Sequence, residues 1–131
     1  MPGAVRLGPA DAQVLAERCA RATVRAGQAI VKQGGLAEIA HIFASGAAHM
    51  QYTTVDRPPM HCGVVVPGMI IGEGAFDGGG YHGCAVIADA DCVVFALSGV
   101  QYADLKRTAP NVPRYLRGVV DAQHAAQNKK K

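Results

Sequence analysis

The stretch Val64–Ala88, VVVPGMIIGEGAFDGGGYHGCAVIA, restricts this chain more than any other. Val64–Val66 is an apolar run that stops at Pro67-Gly68. Met69–Ile71 is a second, and it runs directly into Gly72-Glu73-Gly74-Ala75-Phe76. A glycine-rich connection, Asp77–Gly83, then returns the chain to a third strand-like run, Ala85–Ala88. The pattern is strand, tight turn, strand, one short helical turn, irregular loop, strand. Glycines before and inside a helical turn let backbone N–H groups approach an anion closely, because no Cβ stands in the way. Glu73, fixed beside them, is a carboxylate suited to accepting hydrogen bonds from sugar hydroxyls.

The same rhythm of short strands covers the middle of the chain. Thr23-Val24, Ala29–Lys32, His41–Ala44, Ala47–Val55, Cys62–Val66, Met69–Ile71, Cys84–Ala88 and Cys92–Leu97 are the strand candidates. Turn signals separate them at Ala26-Gly27, Gly34-Gly35, Ser45-Gly46, Arg57-Pro58-Pro59, Pro67-Gly68 and Asp89-Ala90-Asp91. Many short strands at regular spacing predict a sheet that closes on itself, such as a jelly roll. Pro9–Cys19 reads as a helix, with Pro in its first turn, Asp11 near its positive end, and Val14, Leu15 and Cys19 on one face. After Leu97 the period changes. Ser98 and Gln101 fit a capping box opening a helix to about Thr108. Pro110 stops it, Asn111 is placed to cap another, and Val112, Leu116, Val119 and Val120 form a stripe on a helix running toward Gln127.

Length and charge narrow the function classes. A chain of 131 residues fits one domain with a real core. The expected division is a single domain over 1–128 and a basic tail, 129–131. No apolar run approaches the ~20 residues of a membrane span, and the N-terminus lacks the apolar core of a signal peptide. The net charge of +3 includes the three terminal lysines, so the body is close to neutral and lacks the basic footprint of a nucleic-acid binder. Cys19, Cys62, Cys84 and Cys92 show no C-x-x-C spacing and are expected as reduced thiols, small core residues of a cytoplasmic protein.

The order G-E-x-A, a loop, a basic residue and then small-small-β, here Gly72-Glu73-Gly74-Ala75 followed by His82-Gly83-Cys84, resembles the phosphate-binding cassette of the cyclic-nucleotide-binding domain family. Further matches stand in order around it. Gly27-Gln28-Ala29-Ile30 resembles the family's Gly-Glu-x-Ile, Gln33-Gly34 opens a 14-residue stretch ending in Ser45-Gly46, and Pro67-Gly68 occupies a turn before the cassette. The resemblance covers roughly residues 10 to 120. It implies an α+β fold, an antiparallel eight-stranded β-roll with one helix before it and two after. It also implies a regulatory domain rather than an enzyme, with cyclic AMP or cyclic GMP as ligand, no cofactor and no metal.

Gly72, Glu73, Gly74 and Ala75 would then hold ribose and phosphate, and His82, Gly83 and Cys84 would close the phosphate side. Departures fall at this site. The family's phosphate-holding Arg corresponds to His82, the next position is Gly83, Gly35 replaces an Asp, and no Arg lies within Gly72–Ala88. An imidazole lacks the guanidinium's permanent charge and planar fork. Affinity is therefore expected to rise as pH falls from about 8 to about 6. The bland alternatives are a plain turn at Gly72-Glu73 and an exposed loop residue at His82. The resemblance further implies that the helices after the roll are the moving part, signalling to an effector domain or partner protein, with a homodimer also open.

Two other readings stand beside the sensor. The first is a degenerate relative that binds no cyclic nucleotide and serves as an interaction module, which a pocket filled by Tyr81 or Phe76 would favour. The second is a metal enzyme of cupin type using His49, His61, Cys62, His82 and Cys84. Cupin spacing is absent, and His61 and Cys62, being adjacent in a strand, point to opposite faces. His41 and His49 read as strand residues and His124 as a solvated helix residue. No nucleophile elbow, zinc-protease motif or P-loop is present.

Overall fold

A computed structural model describes residues 7–128. Helix α1 (Pro9–Arg18) precedes strands β1 (Ala20–Val24), β2 (Ala29–Val31), β3 (Ile39–Ser45), β4 (Ala48–Thr54), β5 (Arg57–Val65) and β6 (Ile70–Ile71). A short 3-10 helix, Glu73–Asp77, leads to β7 (Ala85–Ala88) and β8 (Cys92–Ser98), then α2 (Gly99–Thr108) and α3 (Asn111–Asn128). The eight strands form two four-stranded antiparallel sheets, ordered β1-β8-β3-β6 and β2-β7-β4-β5. The expected β-roll with one helix before it and two after is the architecture found.

Strand alternation sorts the core into two layers. Val31, Phe43, Val65, Ile71, Val86 and Val94 meet between the sheets. Ala40, Ile70 and Leu97 instead face outward beneath the helices, meeting Phe76, Tyr102, Leu105, Val112, Leu116 and Val120. The first sheet is thus covered on both faces, while the second leaves one face to solvent. The α3 stripe packs as expected, with Val112, Leu116 and Val120 buried and Val119 partly so. Ser98 and Gln101 complete the capping box, each side chain bonding the other's backbone N–H at 3.1 and 3.0 Å.

Several boundaries differ from expectation for identifiable reasons. β5 begins at Arg57, so Arg57-Pro58-Pro59 is strand rather than turn. β5 is an edge strand, and prolines are tolerated where one side of the backbone has no ladder to complete. β1 starts at Ala20 because β8 is long enough to pair it from Ala20 to Val24. Asn111 is the first residue of α3 rather than a cap before it. Cys62 is not a core residue but is exposed at an irregularity of β5, whereas Cys92 is buried. Lys129–Lys131 lie outside the described residues.

Candidate functional site

The site begins with one backbone constraint. Gly72 adopts φ 78°, ψ 37°, a left-handed conformation that turns β6 sharply into the 3-10 helix. A Cβ there would stand 2.9 Å from His82 Cε1 and 3.0 Å from the Ile39 carbonyl oxygen. Glycine is therefore required twice, for its φ and for its bareness. The first amides of any helical turn lack intrahelical partners, so those following Gly72 are available to a ligand. Gly78, Gly79 and Gly80 all take positive φ, which makes the glycine run a specific reversal rather than a slack tract. Gly79 N–H donates to the Gly74 carbonyl at 2.8 Å, folding the loop back onto the turn.

The far side of the site is pinned by the segment after β2. His82 N–H donates to the Gly35 carbonyl at 2.9 Å, Gly34 N–H donates to the His82 carbonyl at 2.8 Å, and Leu36 bridges Tyr81. Gln33 ties this segment to β4, its amide both accepting from Thr53 N–H and donating to the Thr53 carbonyl, at 2.8 and 2.9 Å. Gln33-Gly34 thus supports the site without entering it.

Together these segments enclose a cavity of about 400 Å³. Gly72, Glu73, Gly74, His82, Gly83 and Cys84 all lie on its wall, with Val31, Met50, Val65 and Val86 forming an apolar floor. Ala75 stands behind the wall: its N–H donates to the Gly72 carbonyl at 3.1 Å, and its methyl is buried with the helices. Phe76 is likewise turned away, stacked on Tyr102 of α2 at 4.0 Å between ring centroids. Tyr81 lines the rim at 75% exposure, so neither aromatic fills the hollow.

The remaining wall comes from α3, through Gln123, His124 and Gln127. Gln123 Nε2 donates to the Ile70 carbonyl and its Oε1 accepts from Ile70 N–H, both at 2.9 Å, so this amide completes the free edge of β6 as a neighbouring strand would. His124 Nε2 lies 2.8 Å from Glu73 Oε1, and Arg117 donates to Asp77 at 2.6 Å. His124 is consequently not a merely solvated residue; it bonds the Glu73 carboxylate. The sequence carried a signal for this: Leu116, Val120, Gln123 and Gln127 recur at 3- and 4-residue spacing, so two amides continue a buried stripe.

No Lys or Arg lines the cavity among the described residues, and its basic groups are His82 and His124. Burial pushes His82 below the usual imidazole range, with Glu73 pulling partly the other way. His41, behind it in β3, is also lowered, by burial and then by the His82 charge, and its buried Nδ1 has no partner. Burial thus biases both rings toward the neutral form. The expected window of pH 8 to 6 for gaining charge at His82 moves to more acidic values. Among the described residues no three His, Cys, Asp or Glu side chains converge as metal ligands. His61 stacks on His49 at 5.0 Å while Cys62 turns to the opposite face.

A two-sheet roll with a glycine-and-carboxylate turn beneath a terminal helix defines a ligand-pocket domain of one recognisable type. The chain belongs to the cyclic nucleotide-binding domain family, whose model matches residues 21–108. Among solved structures, the N-terminal domain of a transcriptional regulator from Streptomyces coelicolor A3(2) is 19% identical, with TM-score 0.77, over 94% of this chain and 88% of that one. The catabolite activator protein of Thermus thermophilus is 22% identical, with TM-score 0.80, over 95% of this chain and 58% of its own. The c-di-GMP-responsive global regulator of Xanthomonas campestris is 19% identical, with TM-score 0.76, over 88% and 56%. At these identities the likeness is one of fold, and this chain spans little more than half the length of the last two. No curated protein matches the sequence. No described helix is long and apolar enough to cross a membrane.

Proposed function

We propose that residues 1–128 act as one non-enzymatic sensor domain that binds a cyclic nucleotide, cyclic AMP or cyclic GMP, and passes its occupancy to an effector through α3. The observation that supports this most directly is an unfilled cavity bounded by Gly72–Gly74 and His82–Cys84. In this reading Glu73 accepts from the ribose hydroxyl, and the amides after Gly72 face the cyclic phosphate. His82, Gly83 and Cys84 close the phosphate side, with Ala75 anchoring the turn from behind. Because Glu73 already bonds His124 on α3, a sugar that takes the carboxylate displaces a helix contact, which couples binding to helix position. The domain works in the cytoplasm.

A second reading, a ligand-free interaction module, draws on the missing Arg. Loss of one charge-assisted bidentate contact costs about 2–4 kcal/mol, or roughly 30- to 1000-fold in affinity. A thermal-shift screen with cyclic AMP, cyclic GMP and cyclic di-GMP separates the two, since a ligand at ~100 times its Kd stabilises by ~2.7 kcal/mol. Titration calorimetry of wild type and His82→Arg then tests the phosphate side. The sensor reading expects His82→Arg to bind more tightly, and wild-type affinity to keep rising below pH 6 as the lowered imidazole gains its proton. Silence from both proteins at every pH leaves the interaction module as the function.

A further inference from the structure

Beside the cavity, three sulfur residues from neighbouring segments share one groove. Cys62 Sγ and Cys84 Sγ lie 3.6 Å apart. Cys62 is exposed on β5, and Cys84 is half-buried at the entrance to β7. β4 runs between those strands, and Met50 on it pairs with Gly63 on one side and Val86 on the other. Gly63 has no Cβ, and the Met50 terminal methyl occupies the space where one would be. The Met50 side chain therefore leans over Gly63, the residue after Cys62 in β5, and all three sulfur residues line one groove open to solvent.

The two side chains meet over β4, reaching in from the segments on either side of it. At a metal–thiolate distance of ~2.3 Å, two donors on one ion stand about 3.8–4.0 Å apart. The observed 3.6 Å needs an adjustment of a few tenths of an ångström. Thiolate and thioether donors together, without imidazole or carboxylate, select a soft monovalent ion such as Cu(I).

We propose that Cys62, Cys84 and Met50 form a binding site for a soft monovalent cation, Cu(I), in the groove they share beside the cavity. On binding, the two S–H bonds break, both protons pass to solvent, and two metal–thiolate bonds form with Met50 as the third donor. Copper stays Cu(I) throughout, so no oxidant or reductant is required. The other two cysteines lie elsewhere: Cys19 packs against the core beneath the helices, and the buried Cys92 thiol bonds the Ala47 and Ala90 carbonyls. The site stands whether or not the cavity takes a nucleotide.

The test is anaerobic titration of the full chain with Cu(I) in competition with bicinchoninate, followed by the chelator's absorbance. Wild type should withdraw one equivalent, and Cys19→Ser and Cys92→Ser should match it. Cys62→Ser and Cys84→Ser should each lose at least about 100-fold in affinity, and Met50→Leu about 10-fold, while melting temperatures confirm that all remain folded. Because two protons leave per ion, apparent affinity should rise about 100-fold per pH unit between pH 6 and 7. A tenfold slope, serine variants within threefold of wild type, no copper taken from bicinchoninate, or a preference for Zn(II) over Cu(I) would each overturn the assignment.

Discussion

Replacing Gly72 with alanine tests how the cassette is built, and its cost divides into two parts. The first is conformational: φ 78° places an L-residue in the left-handed region at about 1–2 kcal/mol. The second is steric: a methyl 2.9 Å from His82 Cε1 and 3.0 Å from the Ile39 carbonyl must displace backbone as well as a ring, an overpacking cost of about 1–3 kcal/mol. The sum is about 2–5 kcal/mol. Unfolding entropy of about 2.1 cal/mol/K per residue gives about 0.28 kcal/mol/K for this chain, so Tm should fall by about 7–18 °C. Two companion variants separate the parts. Gly68 has φ 98° with nothing within 4 Å of its notional Cβ, so Gly68→Ala should cost only the conformational share, about 4–7 °C. Gly83 has neither a positive φ nor a neighbour within 4 Å, and Gly83→Ala should leave Tm within about 2 °C. Scanning calorimetry on the four proteins decides the matter. A Gly72→Ala midpoint no lower than that of Gly68→Ala would refute the packing of His82 against the turn.

Two further outcomes follow from α3 and the histidines. Gln123→Leu removes both bonds to Ile70 and leaves a strand edge unpaired, at about 1–3 kcal/mol; urea midpoints should fall accordingly, with hydrogen exchange quickening at Ile70, and unchanged exchange there would contradict the edge-completing role. His41 and His82 have folded pKa values below those of the unfolded chain, so the unfolded state binds protons first and stability should decline as pH falls below about 6.5. The decline should flatten in a His41→Gln/His82→Gln double variant, and an unflattened curve would place its origin elsewhere.

The β-roll was legible because strand length, turn chemistry and helix capping all pointed to it. Pro67-Gly68, the Ser98–Gln101 box and the Val112–Val120 stripe each act locally, and local rules survive into the tertiary structure. The beginning of β5 was not legible, because Pro58 and Pro59 signal a turn unless the strand is known to lie at an edge, and edge position is a property of the whole sheet. The turn from β6 into a short helix at Gly72-Glu73 was readable from the glycine pattern, and it stands on the cavity wall. The contribution of α3 was not, since His124 is separated from Glu73 by 51 residues and nothing local couples them. Only the amides at Gln123 and Gln127, polar residues on an otherwise apolar face, marked that helix as a wall. The sulfur cluster needed the register of three strands, which no sequence spacing reports.

The central claim is that a cyclic nucleotide enters the hollow beneath Gly72–Gly74 and engages Glu73. Amide chemical-shift mapping of the labelled protein against cyclic AMP and cyclic GMP measures this most directly. The account predicts the largest shifts at Gly72, Glu73, Gly74, His82, Gly83 and Cys84, with the Gln123 side-chain amide moving in step, and their loss in Glu73→Ala. Shifts confined to other surfaces, or an unchanged spectrum at millimolar nucleotide, would contradict it.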